Sequence, residues 1–189
     1  HRDLHSFPTR RSSDLSDIVK KISITGSTRV GKLILKQAAE KVQRVTMELS
    51  GHAPFIVFDD ANLEKATDMG IAAKFRNNGQ VCIAPSKFYI QESKKKDFVN
   101  LFIEKTKKLK IGNGIDADVQ LGPMTTKKRL NEIEELVEKT KQEGAKVLLG
   151  GKRPAGFNKG FYYEPTIFDD VKDDRSEEHT SELQSRAYL

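Results

Sequence analysis

Short β-prone runs alternate with helix-patterned stretches along most of this chain, and that alternation restricts the fold more than any other feature of the sequence. Residues 18–25 switch between apolar and polar side chains at the period of a strand, and Gly26 ends the run. A helix pattern follows over 31–42, with Leu33, Ile34, Ala38 and Val42 on one face. Branched and aromatic runs at 45–49 and 55–58, bounded by Ser50, Gly51 and Pro54, read as two further strands. Asp59, Asp60 and Asn62 supply oxygens suited to a turn and to the cap of a helix over 63–77. Then come a strand at 87–91, a Lys-rich helix within 93–110 and a Gly-Asn-Gly turn at 112–116. A helix within 121–144, capped near Thr125 or Thr126 and closed by Gly144, precedes β-prone runs at 145–151 and 161–168. Strands separated by helices of this length predict an α/β fold around a largely parallel sheet.

The one cysteine, Cys82, lies in FRNNGQVCIAPS (75–86). A thiol with no partner in its own chain is either a small buried hydrophobe or a reactive group. Asn77, Asn78, Gly79 and Gln80 are poor core residues, so Cys82 is expected to follow a polar turn, exposed. A free cysteine thiol, with a reference pKa of about 8.5, is mostly protonated at neutral pH, and a nucleophilic cysteine needs a helper. Outside the end segments the only histidine is His52, which reads as a polar turn residue. The best-placed carboxylate is Glu48, at the end of the 45–49 run and just before Ser50 and Gly51. Asp59 and Asp60 read as turn residues rather than metal ligands, and no metal site is expected.

The strand, Gly-Ser turn and helix start at 18–33 form an anion cradle, because backbone N–H groups and the helix dipole converge there. Residues 26–32 also fit GxxxxGK, and PFIVFDD (54–60) imitates an apolar strand ending in a metal-binding Asp, so a P-loop nucleotidase is an alternative. Leu33 argues against it, because that position needs a hydroxyl for Mg²⁺.

The 189 residues carry a net charge of +6. Its lysines fall on helix faces, as in 93–110, where Phe98, Leu101, Phe102 and Leu109 form the opposite stripe, so nucleic acid is not an expected partner. No apolar run of about 18 residues is present to span a membrane. A lone thiol fits a reducing compartment, and the cytoplasm is the expected location. Within the ends, FPTRRSSDL (7–15) and RSEEHTSELQS (175–185) are polar and aperiodic and resemble translated sequencing adaptors. Residues 1–17 and 175–189 are therefore expected to be artefactual or disordered tails.

ITGSTRVGK (24–32), MELSGHAPFIVFDDA (47–61) and NNGQVCIAPSKFY (77–89) resemble three consecutive signatures of the aldehyde dehydrogenase superfamily, and Glu48 and Cys82 stand 34 residues apart, as base and nucleophile do in that family. The wording around Gly51 and Cys82 is most similar to the succinate-semialdehyde dehydrogenase branch. The resemblance implies a partial aldehyde dehydrogenase-like α/β fold, with residues 18–50 the end of the dinucleotide-binding domain and 51–174 the first part of the catalytic domain.

It also implies roles. Cys82 attacks the aldehyde, its backbone N–H helps to hold the oxyanion, and Glu48 activates the water that hydrolyses the thioester. Gly26, Ser27, Val30 and Leu49 hold NAD or NADP. A small-molecule aldehyde, a homodimer or homotetramer in the full-length protein, and inactivity of this chain alone are further expectations. Ser50 departs from the family's usual glycine, and its Cβ would crowd the cofactor if the backbone there suits only glycine. Two other classes remain open on the residues alone: a cysteine hydrolase active without NAD(P), and a binding module that makes no chemical use of Cys82 or Glu48.

Overall fold

A computed structural model describes residues 17–49, 51, 53–169, 171 and 186–188. The chain divides into two compact units, residues 1–50 and 51–189.

In the first unit, β1 (Lys21–Thr25), α1 (Thr28–Glu40) and β2 (Arg44–Glu48) form a βαβ unit with a parallel strand pair. The register runs from Lys21 opposite Arg44 to Thr25 opposite Glu48. The helix begins three residues earlier than its apolar spacing predicts, because the Ser27 hydroxyl accepts from the Val30 N–H at 3.3 Å and caps it. Ala38 faces the strands. A β-carbon at Gly31 would lie 3.0 Å from the Leu49 methyl carbons and 3.2 Å from the Met47 sulfur, so α1 rests directly on the end of β2.

The helix also stops two residues short of Val42. Gln43 N–H bonds to the Ala38 carbonyl at 3.0 Å and Val42 N–H to Ala39 at 3.2 Å, the paired bonds of a Schellman end. That end places Val42 at φ 51°, with its side chain 90% exposed. A β-branched residue is strained in this region and gains no burial there. Val42→Gly is therefore expected to stabilise the first unit by about 1 kcal/mol. Urea unfolding checks this, and an unchanged or lower midpoint contradicts it.

The second unit contains β3 (Ala53–Val57), α2 (Leu63–Phe75), β4 (Pro85–Ile90), α3 (Glu92–Lys107), α4 (Lys127–Gln142), β5 (Lys146–Leu149), β6 (Thr166–Asp169) and β7 (Arg186–Tyr188). The sheet order is β3-β4-β7-β6-β5, parallel except for the antiparallel pair β5 and β6. β7 departs from the expectation of a tail over 175–189. Its three residues pair with both β4 and β6, and this slot is filled by backbone N–H and C=O groups, for which no side-chain pattern is needed. The rest of that segment, and residues 1–16, lie outside the described residues.

Alternation along β3 and β4 sends Phe55, Val57, Phe88 and Ile90 toward the α2 and α3 side, whereas Ile56 and Tyr89 remain exposed. Phe98 and Phe102 from α3 are fully buried there, with ring centroids of Phe88 and Phe102 at 5.1 Å. Gly70 admits these rings: a β-carbon on it would meet Phe102 at 3.1 Å and Phe88 at 3.2 Å. A second cluster joins Leu130, Ile133 and Val137 of α4 to Met124, Tyr163 and Phe168. Asn62 caps α2 by accepting from Lys65 N–H at 3.0 Å, and Thr126 caps α4 by accepting from Arg129 N–H at 3.1 Å. Gly144, at φ 86°, follows the end of α4.

Candidate active site

The first unit gathers five of the sequence-predicted residues at the carboxyl ends of its two strands, the edge where open α/β sheets hold ligands. Gly26 ends β1, and its N–H bonds to the Glu48 carbonyl at 3.0 Å, tying the glycine turn to the end of β2. Ser27 caps α1, Val30 lies half-buried in its first turn, and Leu49 packs under Gly31. The Glu48 side chain is exposed. No acidic residue stands in the first turn of α1, so nothing there offsets the positive end of the helix dipole.

The same geometry removes the P-loop alternative. Only Gly26 and Ser27 separate β1 from α1, and Gly31 and Lys32 lie inside the helix. A phosphate-wrapping loop of GxxxxGK type keeps those residues in the loop and at the helix start. Two residues are too few to surround a triphosphate.

Cys82 lies in the second unit and is exposed. Phe75, buried in the aromatic cluster, is the last residue of α2. Asn77 (φ 50°, ψ 38°) and Asn78 (φ 57°, ψ 30°) then turn left-handed, and Gly79 follows at φ 74°. This ends the helix two residues before the predicted Asn77, because asparagine tolerates the left-handed region better than most residues and glycine enters it freely. Asn77 N–H₂ donates to the Gln80 carbonyl at 3.3 Å, and Ala84 N–H closes the next turn on the Val81 carbonyl at 3.0 Å. Cys82 is thus held on a turn between a buried helix end and the buried Ala84 that precedes β4. His52 and Ser50, the other residues weighed from sequence, lie outside the described residues. Among the described residues no cluster of three or more His, Cys, Asp or Glu side chains is arranged for a metal ion.

A groove of about 590 Å³ runs beside this turn, its apolar wall formed by Ile71, Ala72, Phe75 and Leu109, with Asn77 and Arg76 on its lining. Lys105 in the groove is paired with Glu64 and Asp68, and Lys108 with Glu104. The carboxylate contacts raise the Lys105 pKa further above its ordinary value, and Lys108 holds the Glu104 carboxyl below its own. Among the described residues Arg76 is in no ion pair. Sequence reading passed over it; its position six residues before Cys82 was the available signal.

The first unit is a glycine-turned βαβ unit with a carboxylate at a strand end, and the second is an α/β unit that presents a single exposed thiol. Residues 15–182 match the aldehyde dehydrogenase family, and the chain belongs to that family. It is 42% identical over 153 residues to the probable NADP⁺ succinate-semialdehyde dehydrogenase of Sinorhizobium fredii, covering 81% of this chain and 31% of the relative. It is 40% identical over 156 residues to the glutarate-semialdehyde dehydrogenase of Pseudomonas putida, with 82% and 32% covered. Among solved structures, the betaine aldehyde dehydrogenase of Staphylococcus aureus in complex with NAD⁺ aligns with a TM-score of 0.89 at 34% identity, over 94% of this chain and 35% of that one. The succinate-semialdehyde dehydrogenase of Burkholderia pseudomallei aligns with a TM-score of 0.87 at 37% identity, with 93% and 36% covered. The chain therefore spans about a third of the length of the relatives it matches.

The first unit fits a dinucleotide. The capped N-terminus of α1 offers uncompensated positive dipole to a diphosphate, and a β-carbon at the exposed Gly26 would meet only Ile24 side-chain atoms, at 3.8 Å and beyond. Among the described residues no helix is long and apolar enough to cross a membrane.

Proposed function

We propose that the whole protein carrying this segment oxidises an aldehyde to the carboxylic acid with NAD or NADP. Cys82 is the nucleophile and Glu48 the general base. Gly26, Ser27, Val30 and Leu49 hold the cofactor. The observation that carries this reading is the exposed thiol on a left-handed turn, within a family segment about 40% identical to semialdehyde dehydrogenases. Residues 18–50 act as the end of the cofactor domain and 51–174 as the start of the catalytic domain. The 189-residue chain alone is inactive, and the whole protein assembles as a homodimer or homotetramer in the cytoplasm.

Chemically, the Cys82 thiolate forms a bond to the aldehyde carbon as the carbonyl π bond breaks, giving a tetrahedral adduct, covalently held through the sulfur, with its negative charge on the former carbonyl oxygen. A bound nicotinamide supplies the hydride acceptor for the collapse of that adduct to a thioester. Glu48 takes a proton from water as the water attacks the thioester carbonyl, the acid leaves, and the Cys82 sulfur is returned.

Succinate semialdehyde, or a diacid semialdehyde of similar length, is the proposed substrate. The relatives' names include semialdehydes of succinate and glutarate, each with a carboxylate at its far end. Arg76 is the groove's guanidinium without an ion pair among the described residues, and a guanidinium matches a carboxylate with two parallel hydrogen bonds.

The test is NAD(P)H formation by the whole protein, read from the gene across both ends of this sequence, with aldehydes that bear or lack a distal carboxylate. Carboxylate-bearing aldehydes are expected to give the higher kcat/KM. Equal rates with neutral aldehydes of the same length contradict the substrate class. Glu48→Gln is expected to slow steady-state turnover about 100-fold while the first turnover still forms NAD(P)H, since a general base contributes roughly 10²–10⁴-fold. Loss of the first turnover as well would assign Glu48 to an earlier step.

A further inference from the structure

We infer that Asn78 is a positioning residue for the Cys82 nucleophile, an assignment that rests on the reading of Cys82 proposed above. Its side-chain amide is a clamp between two loops far apart in sequence. One nitrogen, Nδ2, donates to the Gly122 carbonyl at 3.0 Å and to the Pro123 carbonyl at 2.9 Å. An amide nitrogen carries two hydrogens, so both are used, and two carbonyl acceptors leave no choice about which end of the amide faces them.

The segment that receives the clamp is itself fixed. Leu121 and Met124 are buried. Leu121 N–H bonds to the Lys110 carbonyl at 3.1 Å, Gly112 N–H to the Leu121 carbonyl at 3.0 Å, and Met124 N–H to the Phe161 carbonyl at 2.8 Å. A second tie runs parallel to the first: Thr125 hydroxyl donates to Gln80 Oε1 at 3.2 Å. Residues 78 and 80 are therefore both held to 122–125, and Cys82 is two residues further on.

A packing role alone does not account for this arrangement. Asn78 is half-exposed, and its backbone is left-handed, a conformation that glycine would adopt with less strain. What asparagine adds over glycine here is the pair of hydrogen bonds. A turn that places a nucleophile gains from such restraint, because an error of about 1 Å in a reacting atom costs on the order of 100-fold in rate.

The test uses Asn78→Gly and Asn78→Asp in the whole protein. Glycine keeps the left-handed backbone and removes the clamp. Aspartate keeps the shape and sets a carboxylate against two carbonyls. The readouts are the rate constant and amplitude of first-turnover NAD(P)H formation, with cofactor affinity alongside. In both variants the rate constant is expected to fall about 10- to 100-fold, with cofactor affinity within about twofold and amplitude per folded site unchanged. A rate constant within about twofold of wild type in Asn78→Gly overturns the assignment, and so does a loss of amplitude at an unchanged rate constant. If aspartate prevents folding, the glycine variant decides alone. Cys82→Ser, run in parallel, separates the two claims: full activity in that variant removes the nucleophile itself, whereas an inactive Cys82→Ser beside a normal Asn78→Gly removes only the clamp.

Discussion

Cys82→Ala in the whole protein is expected to lower kcat/KM for aldehyde oxidation by about 10⁴-fold or more, because deleting a covalent nucleophile removes the step on which the others depend. Cys82 is the sole cysteine of this sequence, so no neighbouring thiol of this segment can substitute. The thiol is exposed and approachable, and alanine at an exposed position leaves the fold intact. Cofactor affinity is expected to stay within about twofold, since the residues assigned to the cofactor are Gly26, Ser27, Val30 and Leu49. Steady-state NAD(P)H formation and cofactor titration check both parts together. Activity within about tenfold of wild type would return Cys82 to a structural role.

The second large effect is on stability. Phe102 is fully buried, with ring centroids 5.1 Å from Phe88, 5.5 Å from Phe98 and 6.3 Å from Phe75. It meets α2 where Gly70 leaves room for the ring. Phe102→Ala removes the ring from this cluster and is expected to cost about 3–5 kcal/mol, the usual range for a buried Phe→Ala change. Domain stabilities are about 5–15 kcal/mol, so about a fifth or more of the margin would go. Denaturant unfolding of the 189-residue chain measures it, and a loss below about 1 kcal/mol would mean that the cluster is not the core of the second unit. The cluster matters for the site as well. Phe75 belongs to it and is the last residue of α2, immediately before the turn that leads to Cys82.

Much of the fold is legible in the sequence because it rests on local periodicity. The stripes of α3 and α4, the strand patterns of β1 to β4, and the caps at Asn62 and Thr126 all depend on residues within a few positions of one another. Helix ends are less legible where the backbone turns left-handed. Val42 continues the apolar pattern of α1 yet stands outside it, and Asn77 follows α2 for the same reason. The hydrogen bonds of a Schellman end decide the first stop, and no side chain announces them. Lys74 is fully buried in α2, a placement rare for lysine that the local sequence pattern does not mark.

In the candidate site, Cys82, Glu48 and the glycine turn are recognisable by residue type and order. The clamp from Asn78 is not, because its acceptors are backbone carbonyls 44 and 45 residues away and only tertiary folding brings them together. For Arg76 the sequence offers only its place six residues before Cys82, and the groove that it lines comes from tertiary packing.

The most direct test of the central claim is to trap the acyl group on Cys82. The Glu48→Gln variant of the whole protein, mixed with NADP or NAD and succinate semialdehyde and quenched in acid, is expected to gain the mass of one succinyl group per subunit. Peptide mapping should then place that mass on Cys82. Formation of NAD(P)H with no acyl mass on Cys82, or with the acyl group on another residue, would contradict the mechanism.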